Sequence, residues 1–169
     1  MSNSRKNVVK DACVLFDLIQ LELLDVFFEL PYEVFTNSPV LDEILDESQK
    51  AIVQKHLDMG NLILDDKTND VLIFELASQN RGLSFTDCSV IDLAIRKQGI
   101  LLSSDKGLRK ASINSKIEVH GILWMIKVMV EECAISSTIA VTKLRAYEKV
   151  NSRAPKKGIK ELIRLLEKI

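Results

Sequence analysis

Three aspartates stand where a strand-like run gives way to a helix-like one, or where a helix begins. Asp11 follows Asn7-Val8-Val9-Lys10, and Asp105 follows the apolar run Ile100-Leu101-Leu102 with Ser103 and Ser104 between. Asp87 opens the apolar-faced helix after Leu83. With an acidic residue near position 43, they suggest one oxygen-rich site built from distant pieces of chain. Carboxylates gathered in this way repel one another and are pushed towards protonation unless a cation lies between them. Magnesium and manganese take oxygen donors, and magnesium commonly uses one or two protein carboxylates besides water and substrate phosphate. Phosphodiester hydrolysis uses such ions to polarise the phosphate and stabilise the leaving oxygen. Each acid also has a local reading: Asp11 and Asp105 as helix N-caps, Asp87 in a capping box Ser84-Phe85-Thr86-Asp87, and the residue near 43 facing solvent.

The elements that must position these acids follow from periodicity and punctuation. Strand-like runs are expected at 7–10, 33–36, 61–65, 100–102 and 117–120. Between them lie helix patterns at 12–19, 23–30, 47–59, 70–79, 106–112 and 122–130, besides the one opening at Asp87. Ser38 before Pro39 predicts an N-cap and N1 proline for a helix burying Val40, Leu41, Ile44 and Leu45. The 70–79 helix is read with Val71, Leu72, Phe74, Leu76 and Ala77 as its apolar residues, and Gly60 as the stop of the helix before it. Strands alternating with helices predict an α/β fold with a largely parallel five-stranded sheet. In such sheets ligands bind beyond the carboxyl ends of the strands, where Asp11 and Asp105 fall.

Composition agrees with a globular protein. Of 169 residues, 47% are apolar and 28% charged, close to globular averages, so disorder along the whole length is excluded. Cys13, Cys88 and Cys133 are odd in number and lack a CxxC spacing, which predicts a reduced, disulfide-free protein. Zinc is unsupported, since neither His56 nor His120 has a cysteine nearby in sequence. There is no GxGxxG and no GxxxxGK[ST] for nucleotide phosphates, although a phosphoacceptor domain also clusters acids at strand ends. With no apolar signal core after Met1 and no stretch of about 18 apolar residues, the expectation is a cytoplasmic protein without a membrane partner.

Charge is uneven. Residues 1–142 hold 14 Lys/Arg against 21 Asp/Glu, a net −7, whereas residues 143–169 hold 9 against 3, a net +6. A basic tail on an acidic body suits a polyanion held beside a metal, or equally a solvated helix face. From Ser136 onward the pattern is helical, broken at 151–158. The last piece places apolar residues at 159, 162, 163, 166 and 169, a stripe that needs a surface of this chain or of a partner. Glu161 and Glu167 interrupt its basic face, against membrane binding. The expected division is a nuclease-like domain over 1–133 and a helical extension over 134–169.

The segments KDACVLFDL near the start, VLDEI at 40–44, LSFTDCSVIDLA at 83–94 and LLSSDKGL at 101–108 resemble, in order and spacing, the four acidic motifs of the PIN-domain family. That family is typified by VapC-like toxins of bacterial toxin–antitoxin pairs. The resemblance covers about residues 7–130, and the extension exceeds the family's compact core. It implies a three-layer α/β/α fold and magnesium- or manganese-dependent hydrolysis of single-stranded RNA, leaving a 5′-phosphate and 3′-hydroxyl. By motif position, Asp11, Glu43, Asp87 and Asp105 become catalytic residues and metal ligands. Periodicity alone does not separate Asp42 from Glu43, and the resemblance selects Glu43. Asp92 falls on a different side of its helix from Asp87 and is left out.

Ser103 matches the family's small hydroxyl before the fourth acid and is expected to orient water or a substrate phosphate, unless it serves the turn backbone. Lys106, Arg109 and Lys110 follow the site and are placed to hold an RNA backbone, or are ordinary solvated charges. The resemblance, with the C-terminal stripe, also implies a homodimer and an antitoxin partner. The alternative is a catalytically silent module of the same fold that binds RNA or protein.

Overall fold

The computed structural model describes residues 6–168. Strand β1 (Lys6–Lys10) leads through α1 (Ala12–Gln20) and α2 (Leu24–Glu29) to β2 (Tyr32–Thr36). Helices α3 (Ser38–Asp42) and α4 (Glu47–Asp58) precede β3 (Leu62–Leu64), and α5 (Asp70–Gln79) and α6 (Phe85–Lys97) precede β4 (Ile100–Leu102). Then come α7 (Lys106–Asn114), β5 (Val119–His120), α8 (Ile122–Glu131), α9 (Ser137–Val150) and α10 (Lys156–Leu166). All five expected strands form, and every pairing is parallel, in the order β3-β2-β1-β4-β5. Parallel strands buried on both faces read as continuous apolar runs, and Val8, Val9, Leu101 and Leu102 are fully buried. Each contributes roughly 1.5–3 kcal/mol of apolar burial.

The strand order creates the site. From β1 the chain winds outward to β2 and β3, then returns to set β4 and β5 on the other side. Between β1 and β4 the connections therefore leave in opposite directions, which opens a crevice at the carboxyl ends of those two strands. Lys10 pairs with Leu102, and the Asp11 N–H donates to the Leu102 carbonyl at 3.1 Å. Helix α6 lies against β1 and β4 and also meets α3 and α5, while α1, α2 and α8 pack together as the second helical layer.

Several local expectations change. The N-cap of α3 is Asn37, whose side chain accepts from Val40 N, because its amide also donates to Ser89 on α6 at 3.0 Å. Ser38 instead donates through both N and Oγ to Asp66. α3 ends after Asp42, so Leu45 projects into solvent at 81% exposure, whereas Val40 and Ile44 are buried and Leu41 only partly so. On α5 the buried residues are Ile73 and Leu76, and Val71, Phe74 and Ala77 are exposed. Gly60 ends α4 as expected, in the left-handed region at φ 73°.

The C-terminal stripe finds its surface within this chain. Ile159, Leu162 and Leu166 are buried where α10 meets α8 and α9, and Ile163 is partly buried. Ile169 of the expected stripe lies outside the described residues. Gly158 permits the approach: a Cβ there would lie 2.9 Å from Leu123 Cδ1. Among the described residues no helix is long and apolar enough to cross a membrane, and Cys13, Cys88 and Cys133 are free thiols.

Candidate active site

Asp11 occupies the N-cap position of α1 with extended backbone, φ −80° and ψ 155°, yet its side chain makes no capping hydrogen bond. Its Oδ2 instead accepts from Ser103 Oγ and from the Cys13 thiol, each at 2.9 Å. A carboxylate that forgoes the cap its position offers is held for another purpose. Ser103 is fully buried, and its hydroxyl serves two of the expected site residues. It donates to Asp11 and accepts from the Asp105 N–H at 3.0 Å, so the turn-backbone role and the site role coexist in one side chain. The Ser103 carbonyl in turn accepts from Arg109 Nη1 at 2.9 Å.

Asp105 and Asp87 combine capping with exposure to the site. Asp105 Oδ1 accepts from Leu108 N at 2.8 Å, capping α7. Asp87 Oδ2 accepts from Ser84 N at 2.7 Å while Ser84 Oγ accepts from Asp87 N, completing the capping box. Glu43 is exposed at the C-terminus of α3.

The electrostatics link Asp11, Glu43 and Asp87, and Asp105 joins Asp11 through the Ser103 hydroxyl. Burial pushes the Asp11 carboxyl above its usual value, hydrogen bonds from Cys13 and Ser103 oppose the rise, and the Asp87 charge adds to it. Glu43 is raised first by burial, against a Thr86 hydroxyl that pulls it down, and further by the charges of Asp11 and Asp87. The Cys13 thiol is pushed up to about 12 by burial and by Asp11, so it remains a neutral donor.

The nearest cation in sequence does not relieve this negative charge. Lys10 is fully buried with its Nζ 3.6 Å from the Phe27 ring centroid and 4.7 Å from that of Phe28, and has no hydrogen-bond partner among the described residues. A desolvated ring face offsets about 2 kcal/mol, less than the cost of burying an unpaired ammonium. Burial accordingly lowers the Lys10 pKa well below its ordinary value.

Among the described residues, Asp11, Glu43, Asp87 and Asp105 form no ion pair within 4.0 Å. Nor, among those residues, are three or more His, Cys, Asp and Glu side chains gathered tightly enough to hold a metal unaided. The donor set still fits a hard divalent cation, being made of oxygens, uncompensated in charge and open to solvent at Glu43 and Asp105. Magnesium would complete its shell with water and substrate phosphate.

The sequence motifs leave out a further acid, Asp17, whose signal is its place inside the apolar run of α1. It is 7% exposed, with Oδ2 accepting from Tyr147 Oη at 3.1 Å and from Ser104 Oγ at 3.4 Å. Its Oδ1 accepts from Asn151 Nδ2 at 3.4 Å. Burial raises its pKa against these donors. The contacts tie α9 and the loop after it to the site, beside a cavity of about 1100 Å³ that reaches Ser103 and Asp105. A smaller depression of about 300 Å³ runs along α7 at Lys106, Arg109 and Lys110. Lys106 and Arg109 also line the large cavity.

A family model described as a PIN domain matches residues 7–168 and so runs through the C-terminal helices. The chain is 36% identical over 93 residues to the protein named Endoribonuclease Nob1 of Methanocaldococcus jannaschii, covering 53% of this chain and 46% of that one. The match thus spans less than half the length of that relative. The fold is shared with PAE2754 from Pyrobaculum aerophilum, at a TM-score of 0.54 and 17% identity over 80% of this chain and all of that one. FitAcB from Neisseria gonorrhoeae is more distant, with a TM-score of 0.45, 14% identity, and coverage of 66% of this chain and 95% of that one.

Proposed function

The chain belongs to the PIN-domain family, and from that premise we propose that it is a metal-dependent endoribonuclease acting on single-stranded RNA. The observation that carries the proposal is Asp11, turned away from its helix cap, beside Glu43 and Asp87, and unpaired with any cation among the described residues. The activity in the name of the Methanocaldococcus relative supports the same reaction class.

In this reading Asp11, Glu43, Asp87 and Asp105 hold magnesium or manganese at the crevice between β1 and β4. The ion supplies positive charge that polarises the scissile phosphate and stabilises the leaving oxygen. Ser103 is a positioning residue: it fixes the Asp11 carboxylate and holds the turn that presents Asp105. Lys106 and Arg109 offer cations to the RNA backbone, Arg109 from a position fixed by the Ser103 carbonyl.

Cleavage of mixed single-stranded RNA with manganese or magnesium tests the reading. Asp11→Asn and Asp105→Asn are expected to lose cutting by about a hundredfold or more while keeping their fold by circular dichroism. Ser103→Ala is expected to lose about 10–100-fold, as for a residue that orients a metal ligand. Equal cutting by all variants would point to a different site.

One observation favours a second reading, the silent module that binds RNA or protein: no three potential ligands are gathered as they stand among the described residues. Absence of cutting together with absence of any manganese-induced thermal stabilisation would select it. The finer proposal is a toxin with an antitoxin partner. Growth arrest on expression, relieved by Asp11→Asn, would support it, and unaffected growth would count against it. A homodimer would need a surface other than the covered C-terminal stripe. The 70% and 75% exposed Val71 and Phe74 of α5 supply one, and a monomer mass by light scattering would remove it.

A further inference from the structure

The large cavity is lined both by the turn after β4, which carries Asp105, and by the C-terminal extension. Asp17, the turn Ser103–Asp105, Tyr147 and Arg153 all face it. Two of its lining residues, His120 and Trp124, stack with ring centroids 4.1 Å apart and planes 6° from parallel. Both rings are only partly buried. Lys106, Arg109 and Arg153 bring three cations to the same cavity. Flat aromatic surface beside positive charge is how proteins hold single strands: bases stack on the rings while cations follow the phosphates. The volume of about 1100 Å³ lies just above the usual range of ligand pockets and admits a whole nucleotide.

We infer that this cavity is a nucleotide subsite, which takes one unstacked base of the RNA against the His120–Trp124 pair and a neighbouring phosphate against Arg109 and Arg153. The inference rests on the ribonuclease reading for the identity of the strand, and it assigns the extension a direct part in binding. Through Tyr147 and Asn151 the extension also holds Asp17, which lines the same cavity. A base paired in a duplex remains in its stack, so the subsite selects single strands.

Trp124 is the only tryptophan, so its fluorescence reports stacking directly. A short single-stranded RNA titrated into the full chain in EDTA, where metal-dependent cleavage is suppressed, is expected to quench it saturably. Apparent affinity should fall tenfold or more in His120→Ala, the loss typical of one aromatic–base stack, and similarly in Arg153→Glu. Arg153 is exposed in a loop, so its variant should fold even where His120→Ala does not. Lys127→Glu, a charge reversal outside the cavity, should bind like wild type.

An absence of quenching, wild-type affinity in Arg153→Glu, or equal quenching by duplex RNA would each overturn the subsite. RNA cleavage with manganese separates the two proposals. Cleavage intact in a protein whose quenching ignores both variants would sink the subsite alone. Saturable quenching lost in the variants, without cleavage under any condition, would support the subsite and sink the ribonuclease reading.

Discussion

Helix α6 carries Asp87 in its first turn and Asp92 in its middle, and the two belong to opposite kinds of environment. Asp92 is completely buried, and its Oδ2 accepts from Arg96 Nε at 2.9 Å. Arg96 continues to Asp65 at 3.1 Å, and Lys97 reaches Asp65 at 2.6 Å with its ammonium 4.3 Å from the Phe35 ring centroid. Two acids and two cations balance, and the network joins α6 to the end of β3. Asp87 faces Asp11 and Glu43 with no such balance. The titrations diverge accordingly. For Asp65, burial raises the pKa but Lys97 and Arg96 outweigh it, leaving the carboxyl below its usual value. For Asp11, burial outweighs the hydrogen bonds from Cys13, Ser103 and the Ala12 backbone, and the carboxyl ends above it. Residue type is shared by the two regions, and local charge balance separates a structural strut from an uncompensated acidic cluster.

The largest effect is expected in the balanced network. Asp92→Ala removes one partner of a buried pair and should lower stability by about 3 kcal/mol, the low end of such effects because Arg96 retains Asp65. Urea unfolding checks the loss, and the thermal response to manganese should survive it. Tyr147→Phe takes the hydroxyl from the buried Asp17 carboxylate and should cost about 2 kcal/mol in the same measurement.

The acidic region should respond with the opposite sign. Asp11 has a folded pKa above its unfolded value, so its contribution to stability is fully present below the unfolded value and is lost as pH rises through the folded one. At neutral pH without metal its charge is therefore unfavourable. Asp11→Asn should match or exceed wild-type stability by about 1 kcal/mol and lose manganese-induced stabilisation, as read by thermal melts in EDTA and in manganese. Asp65, with its pKa lowered, contributes stability present above its unfolded value and lost as pH falls through the folded one. The smallest expected effect is thus a shallower acid-side loss in Asp65→Asn, seen in melts taken across the carboxylate range.

Much of the fold was legible because its signals are local. The ILL run of β4, the glycine stop after α4 and the Ser84–Asp87 capping box each act within one strand or one helical turn, and each stands in the structure as read. The misreadings arose where a distant partner outweighed a local rule. Asn37 capped α3 in place of Ser38 because Ser89 of α6 anchors its amide. Asp11 left its own cap because Ser103, 92 residues away, offers it a hydroxyl. Asp17 passed unnoticed because its donors come from the turn after β4, from α9 and from the loop that follows.

The alternation of strands and helices, hence a parallel sheet, and the acids at strand ends and helix starts are already written in the order of residues. Periodicity and capping follow from backbone geometry repeated over a few residues, so they can be read without neighbours. Only the tertiary structure decided that β1 and β4 lie side by side, which brings Asp11 and Ser103 together. It also decided that Lys10 turns into an aromatic box and that the cations of α6 go to Asp65 and Asp92. Coulomb energy depends on distance in space and on burial, neither of which is written in the spacing along the chain.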